Sequence, residues 1–218
     1  MSLPEFQHRA DVLDDLERDA LTELFNMGIG SATALLSELL GEPVTLAVPS
    51  VELADRATLV ACVENDISNR VVAIRQSFSG NFGGDALLLF PENRSHTILR
   101  GFIDDGMDEA DTQELEPEAL SELGNIILNG AMGSISNNLA TPFKMSLPTF
   151  LKGATREIIT PDVSEMEVVK SHEVCLLIHV DFAMQAMGTT GAIVILMTME
   201  SAALLQNAVQ RFVANSLS

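Results

Sequence analysis

The strongest constraint on the fold is a polar pattern that the chain contains twice, at an offset of 99 residues (125 − 26 and 148 − 49). Each copy holds an acid, a Glu four residues later, an Asn three residues after the Glu, and a Pro 23 residues after the Asn. The copies are Asp19, Glu23, Asn26 and Pro49, and then Glu118, Glu122, Asn125 and Pro148. Matched positions at a single offset indicate an internal duplication.

The spacing of the pattern predicts that its polar residues share one helix face. Residues i, i+4 and i+7 of an α-helix fall within about 60° of one another. The opposite sides are apolar, with Leu21, Leu24, Gly28, Ala32, Leu35 and Leu39 in one helix and Leu120, Leu123, Ile127 and Ala131 in the other. Because an apolar face packs on the core, we expect Glu and Asn to point outward and Gly28 to allow close backbone packing. A solvated face would also be polar, but solvation does not require the same residue types at the same offset.

Length and charge limit the possible architectures and partners. The 218 residues, of which 47% are apolar, suffice for one compact domain. We expect a leader at 1–10 and a single domain at 11–215, built of repeats at about 11–104 and 110–215. The net charge of −19 disfavours nucleic acid and anionic membrane surfaces as partners.

The positions of Cys and His argue against a disulfide framework and against a metal site. Cys62 and Cys175 lie in apolar stretches, which is typical of buried free thiols in a reducing compartment. The 4 His have no ligand spacing with each other or with Cys, and no phosphate-binding loop occurs. The N-terminus lacks a secretory signal, and no apolar run is long enough to span a membrane. We therefore expect a cytoplasmic protein with no metal or cofactor of its own.

The predicted elements follow the same order in both halves. The first half should contain a helix at 14–40, strands at 43–51, 59–63 and 70–78, a turn at 79–84, a strand at 85–90 and a helix at 91–102. After an acidic, irregular joint at 104–116, the second should contain a helix at 117–139, strands at 142–150, 157–159 and 173–182, a turn at 187–191, a strand at 192–198 and a helix at 200–214. These elements predict an α+β fold, with two long amphipathic helices and smaller helices packed on an antiparallel sheet in pseudo-two-fold symmetry.

The repeated pattern, acid or Ser-x3-Glu-x2-Asn-x22-Pro, resembles the signature of the CheC/CheX/FliY phosphatases of chemotaxis. The resemblance covers nearly all of residues 11–215, and two copies in a chain of this length are similar to the CheC type. Glu118 stands where the family usually has Asp or Ser. The resemblance implies a CheC-like duplicated fold and hydrolysis of the aspartyl phosphate on a CheY-like response-regulator receiver.

The resemblance also implies roles for the patterned residues. The asparagines would orient the attacking water, because a carboxamide both donates and accepts hydrogen bonds, and the glutamates would pair with a lysine of the receiver. The receiver would bring the Mg²⁺ and the phosphate. The catalytic residues would be Glu23, Asn26, Glu122 and Asn125, with Asp19 and Glu118 supporting the helix face and Pro49 and Pro148 structural.

Two other interpretations of the pattern stay open at this point. The polar face could belong to a non-catalytic adaptor that captures a receiver or docks on the CheD deamidase. A rotor-switch component similar to FliY is a weaker alternative, since nothing in the chain resembles an appended switch domain. Because the duplication supplies the two-fold relation that a one-site relative would obtain by dimerising, we expect a monomer.

Overall fold

The structure is a computed structural model that describes residues 13–41, 43–99, 109–160, 174–184 and 187–216. Within these residues, six α-helices pack on an eight-stranded antiparallel sheet. The helices are α1 (Asp15–Leu40), α2 (Arg56–Asp66), α3 (Ser95–Leu99), α4 (Glu109–Asn138), α5 (Thr155–Ile159) and α6 (Met199–Ser216). The strands are β1 (Val44–Ala47), β2 (Val51–Ala54), β3 (Arg70–Gly80), β4 (Gly84–Pro91), β5 (Phe143–Met145), β6 (Thr149–Ala154), β7 (Val174–Met184) and β8 (Met187–Met197).

The order of strand pairing is the same from either edge of the sheet. The central strands β4 and β8 pair with each other, β3 lies beyond β4, and β7 lies beyond β8. The short strands cross between halves, because β1 and β2 pair with β7 whereas β5 and β6 pair with β3. The predicted α+β fold with pseudo-two-fold symmetry is therefore confirmed.

Helix α1 begins and ends as its sequence predicts. The Asp14 carboxylate accepts a hydrogen bond from the N–H of Glu17 at 2.8 Å, and the Glu17 carboxylate accepts one from the N–H of Asp14 at 3.0 Å. This capping box pairs two N–H groups that a helix start otherwise leaves without partners. Gly41 ends the helix in the left-handed conformation.

The sheet separates two apolar clusters. One face packs against α1, α4 and α6 and includes Leu24, Ile127 and Leu205. The opposite face packs against α2 and α5 and includes Leu59 and Ile159. Both patterned helices, α1 and α4, therefore cover the same face of the sheet, and their outer sides form the surface of the molecule there.

The two patterned helices touch at glycine. A Cβ atom placed on Gly28 would lie 2.3 Å from the carbonyl oxygen of Gly130 and 2.9 Å from the Cα of Ala131. No side chain fits in this space, so the predicted close backbone packing at Gly28 is confirmed. Gly30, on the outer side of the same helix, faces open space.

Two of the predicted strands are helices. Residues 59–63 belong to α2, where Leu59, Val60 and Val63 are buried. The Asp55 carboxylate caps this helix by accepting a hydrogen bond from the N–H of Thr58 at 2.7 Å. Residues 157–159 belong to α5. Short apolar runs fit a strand and a helix equally well, which is why their periodicity misleads here.

Several boundary predictions also differ from the structure. The strands predicted at 43–51 and 142–150 are each interrupted, the first between β1 and β2 and the second between β5 and β6. Residues 109–116 form the start of α4 and not an irregular joint, so Pro117 lies inside the helix. Residues 187–191 begin β8 and do not form a turn, because they pair with β7. The helix at 91–102 is a short 3-10 turn, Glu92–Arg94, followed by α3. Residues 100–108 and the leader at 1–10 lie outside the described residues.

The apolar stripe of α1 follows a different path near the helix end. Leu35 and Leu39 are 51% and 55% exposed, whereas Ala32 and Leu36 are buried. Leu36 lies about 100° around the helix from Leu35, so the buried stripe passes through Leu36. The expectation that Leu35 and Leu39 pack on the core is wrong.

The substitution Gly28→Ala should lower the free energy of unfolding by about 1–3 kcal/mol, because the methyl group forces the two helix backbones apart. The matched control is Gly30→Ala in the same helix, where nothing lies within 4 Å. The control should raise stability by up to about 1 kcal/mol through helix propensity. Urea unfolding of both variants measures the difference, and equal stabilities would contradict the close contact.

Candidate functional site

The two polar stripes lie on the outer sides of α1 and α4. The acidic residues Asp19, Glu23, Glu118 and Glu122 are exposed, and Asn26 and Asn125 are half-buried. The carboxylates therefore point outward, as the spacing predicts. The carboxamides lie at the edge of each helix, and their hydrogen bonds differ between the two halves.

In the first half, the Asn26 carboxamide is bonded to the main chain. Its Nδ2 donates to the carbonyl oxygens of Val48 and Thr22, each at 3.0 Å, and its Oδ1 accepts from the N–H of Val48 at 2.9 Å. Val48 is only 3% exposed, so these bonds satisfy a peptide group that is largely shielded from water. Asn26 therefore fastens the segment after β1 to helix α1.

In the second half, the Asn125 carboxamide is held by other side chains. Its Oδ1 accepts from Nε2 of Gln76 at 3.2 Å and from Nδ2 of Asn129 at 2.7 Å. The same Gln76 nitrogen donates to the carbonyl of Ser146 at 2.9 Å, and the same Asn129 nitrogen donates to the carbonyl of Asn125 at 2.8 Å. Since carbonyls only accept, these contacts fix which ends of Gln76 and Asn129 are donors, and Asn125 must present its oxygen to them.

Sequence reasoning misses Gln76, although a signal for it exists. The residue stands in the otherwise apolar run RVVAIRQ of β3 and is 1% exposed. A buried amide needs hydrogen-bond partners, so a lone Gln in such a strand indicates a polar contact from a neighbouring element. The identity of that neighbour depends on how the helix lies on the strand, which the local pattern does not contain.

The strand register shows which residue takes the place of Gln76 in the first half. Leu46 of β1 pairs with Phe182 of β7. Met145 of β5, which lies 99 residues after Leu46 (145 − 46), pairs with Phe78 of β3. Phe78 therefore corresponds to Phe182, and Gln76, two residues earlier, corresponds to Val180. Val180 is buried and apolar, so it cannot bond to a carboxamide.

The surfaces beside the two asparagines also differ. Leu147 is 86% exposed, whereas Val48, at the corresponding position, is buried beneath Asn26. Asn129 corresponds to Gly30, which has no side chain to offer. The same patterned residues are thus surrounded by a hydrogen-bonding network in one half and by main chain and open space in the other.

Each patterned helix also contains a buried glutamate, Glu17 and Glu116, at the same offset of 99 residues (116 − 17). Glu17 accepts hydrogen bonds from Nε2 of Gln210 at 2.6 Å and of Gln206 at 3.0 Å, which ties α1 to α6. Glu116 accepts one from Nζ of Lys152 at 2.7 Å, which ties α4 to β6. The contacts of Glu17 and Glu116 are structural and lie beneath the stripes. Their shared offset of 99 residues is the sequence signal that indicates them.

Groups that could hold other ligands are few in the part of the chain that the structure describes. No three His, Cys, Asp or Glu side chains there lie close enough together to hold a metal ion. A cavity of about 560 Å³, lined by residues such as Thr45, Asp66 and Arg94, lies on the α2 side of the sheet. It is separated by the sheet from the asparagines.

Both cysteines are free. Burial raises the pKa of the Cys175 thiol to about 11, and burial also raises the pKa of Cys62, which is only half-buried. Both thiols are therefore protonated at neutral pH and are poor nucleophiles. Among the described helices, none contains an apolar stretch of the length needed to span a bilayer.

Comparison with known proteins finds similarity to flagellar motor switch proteins. No family model matches the chain. The flagellar motor switch phosphatase FliY of Bacillus subtilis is 28% identical over 139 residues, which are 63% of this chain. The chain spans only 35% of the length of that relative.

Solved structures share the fold over almost the whole chain. FliY of Thermotoga maritima aligns over 92% of this chain and 99% of its own, with a TM-score of 0.68 and 16% identity. The FliM middle domain of H. pylori aligns over 90% and 99%, with a TM-score of 0.59 and 9% identity. These matches define an α+β protein with the fold shared by FliY and the FliM middle domain. The sequence similarity to FliY of Bacillus subtilis agrees with this likeness of fold.

The contacts of the two asparagines predict different effects on stability. Asn26→Ala should lower the free energy of unfolding by about 1–3 kcal/mol, because it leaves the N–H and the carbonyl of Val48 without partners. Asn125→Ala should cost less, because Gln76 keeps its bond to Ser146. Chemical unfolding of both variants measures the difference. A larger loss for Asn125→Ala would show that Asn26 is not the main-chain clamp.

Glu116 predicts a pH-dependent contribution to stability. Burial raises its pKa, but the hydrogen bond from Lys152 and the positive charge of Lys152 oppose burial, and the pKa is lowered from the ordinary 4.5. Such a carboxylate stabilises the fold above pH 4.5, and the contribution is lost as the pH falls through the lower pKa of the folded state. Glu116→Gln should therefore destabilise the protein at neutral pH, and this effect should shrink below pH 4.5.

Urea unfolding across the acid range measures this change for Glu116→Gln. The matched control is Glu114→Gln, at an exposed position of the same helix, which should leave stability nearly unchanged throughout. A destabilisation by Glu116→Gln that stays constant with pH would contradict the assigned role of its carboxylate.

Proposed function

We propose that the chain is a phosphatase that hydrolyses the aspartyl phosphate of a CheY-like receiver in chemotaxis signalling. The observation that carries the proposal is the carboxamide of Asn125, which neighbouring side chains hold in one orientation beside the exposed Glu122. Glu23 and Asn26 occupy the same positions in the first half. The relative FliY of Bacillus subtilis is a motor switch phosphatase, which supports the same class of activity.

The chemistry of an acyl phosphate suits such a site. The phosphoryl group is already activated, so hydrolysis requires a positioned water and stabilised negative charge more than a strong base. A carboxamide can donate to the water or to a phosphoryl oxygen. Because Gln76 and Asn129 already orient Asn125, little reorganisation accompanies the reaction. The receiver would supply the Mg²⁺, and the phosphatase would contribute no metal.

Glu122 would fix the position of the receiver. It precedes Asn125 by three residues, or about 4.5 Å of helix rise, so both side chains can reach one pocket. A carboxylate at this point can form a charge-assisted hydrogen bond with a lysine of the receiver. Glu118 extends the acidic stripe by one turn and would support this contact. Since the net charge of −19 does not attract an acidic partner, the attraction must act at short range.

An apolar contact would complete the docking surface. Leu147 is 86% exposed and directly follows Ser146, whose carbonyl binds Gln76. Ile126, adjacent to Asn125, is half-buried. Apolar groups beside a polar site are common in protein–protein contacts, because the partner removes them from water. The receiver would therefore cover Leu147 while its phosphate approaches Asn125.

Phosphate release from a phosphorylated CheY-like receiver, with Mg²⁺ present, tests the proposal. The protein should accelerate release, and the double variant Asn26→Ala/Asn125→Ala should lower the accelerated rate by about a hundredfold or more, because the water loses its positioning group. The matched control is Asn65→Ala/Asn137→Ala, at exposed positions of α2 and α4 outside the stripes. Circular dichroism checks that each variant folds. A double variant as fast as the unaltered protein would refute the role of the asparagines.

The alternative is a non-catalytic adaptor that uses the same face to bind a receiver or a CheD deamidase. Such a protein would bind the phosphorylated receiver without shortening the lifetime of its phosphate. Binding and phosphate release measured on the same sample separate the two functions, since only the phosphatase changes both. Binding with an unchanged phosphate lifetime would favour the adaptor.

A further inference from the structure

The two asparagines differ in how many N–H groups of their carboxamides are already hydrogen-bonded. Asn26 uses both N–H groups of its carboxamide, one on the carbonyl of Thr22 and one on that of Val48. Its oxygen accepts from the N–H of Val48 as well. To donate to a water or to a phosphoryl oxygen, Asn26 would have to give up one of these bonds. Giving up the bond to Val48 would leave the carbonyl of a largely shielded peptide group without a partner.

The carboxamide of Asn125 is bonded through its oxygen. Among the residues that the structure describes, none accepts a hydrogen bond from its Nδ2, while its oxygen accepts from Gln76 and Asn129. Turning the carboxamide over would place its amino group against two other donors, which opposes that orientation. The amino group of Asn125 is therefore directed away from the network.

Burying the side chain of Gln76 costs free energy that its packing does not explain. Its side chain is buried, and its Oε1 has no hydrogen-bond partner within the described residues. An apolar residue would avoid this cost, as Val180 does at the corresponding position of the first half. Buried groups with unmet hydrogen bonds are uncommon in folded proteins, and functional sites are among the places where they persist.

We propose that Gln76 and Asn129 are positioning residues of the phosphatase site and that the second half performs most of the hydrolysis. This inference rests on the proposed function. Gln76 and Asn129 do not touch the phosphate, because their nitrogens hold the oxygen of Asn125 and leave its amino group to meet the attacking water. Val180 and Gly30 stand at the corresponding positions of the first half, so Asn26 cannot be held in the same way.

Steady-state kinetics on the phosphorylated receiver tests the inference. Asn125→Ala should lower kcat at least about tenfold more than Asn26→Ala does. Gln76→Leu, which fills a similar volume without a donor, should lower kcat by about tenfold or more. KM should stay unchanged in Gln76→Leu, because Glu122 and Leu147 still make their contacts. A loss of packing alone would not separate kcat from KM in this way.

A second pair of variants tests the network without altering the core. Asn129 is exposed, so Asn129→Ala should fold normally and lower kcat, whereas Asn129→Gln, which keeps an amide donor, should recover part of the loss. Equal losses of kcat in Asn26→Ala and Asn125→Ala would overturn the inference and leave the proposed function intact. A full kcat in both Gln76→Leu and Asn129→Ala would do the same.

If the protein fails to dephosphorylate any receiver, the proposed function is refuted. The hydrogen-bonding network can then still be tested by hydrogen exchange, which does not require activity. In ¹⁵N-labelled protein, the side-chain amide hydrogens of Asn26 should exchange with water at least about tenfold more slowly than those of Asn125, because only the former are hydrogen-bonded. The Asn125 side-chain signals should shift in Gln76→Leu. Slower exchange at Asn125, or unshifted signals, would overturn the positioning network.

Discussion

The position of Asn125 depends on how closely helix α4 lies on strand β3. A Cβ atom on Gly124 would lie 2.4 Å from Cγ2 of Ile74, so the helix backbone packs directly against the Ile74 side chain of the strand. Asn125 follows Gly124, and Gln76 is two residues beyond Ile74 on the same face of the strand, which brings the two amides within 3.2 Å. Any side chain at Gly124 would lift the helix and open this contact.

The first half has a larger residue at the position of Gly124, and the hydrogen bonds of its asparagine differ. Phe25 occupies the position that corresponds to Gly124, and its ring is buried in the apolar cluster on the α1 and α4 side of the sheet. With an aromatic ring beneath the helix and Val180 on the strand, Asn26 bonds to the peptide group of Val48. The same patterned residue is therefore a clamp in one half and an oriented amino group in the other.

The limits of sequence-based prediction follow from the same residues. The stripes could be predicted, because Asp19, Glu23 and Asn26 act through a local helical period that the chain repeats. The α+β fold followed from alternating long helices and strands. Residues 59–63 could not be assigned, since a short apolar run has no distinctive period and its helix depends on a cap at Asp55. Gln76 could not be connected to Asn125, because the contact depends on register and on the height of a helix above a strand.

The short strands of each half pair with a long strand of the other half, so the surroundings of each asparagine include residues from both halves. Strand β5, which leads to Ser146, belongs to the second half but pairs with β3 of the first. Gln76 lies on β3 and binds both Ser146 and Asn125, so the network that orients the second-half carboxamide begins in the first half. The two halves are therefore not structurally independent units. The two halves share one scaffold, and the differences between them, Gly124 against Phe25 and Gln76 against Val180, determine how each carboxamide is hydrogen-bonded.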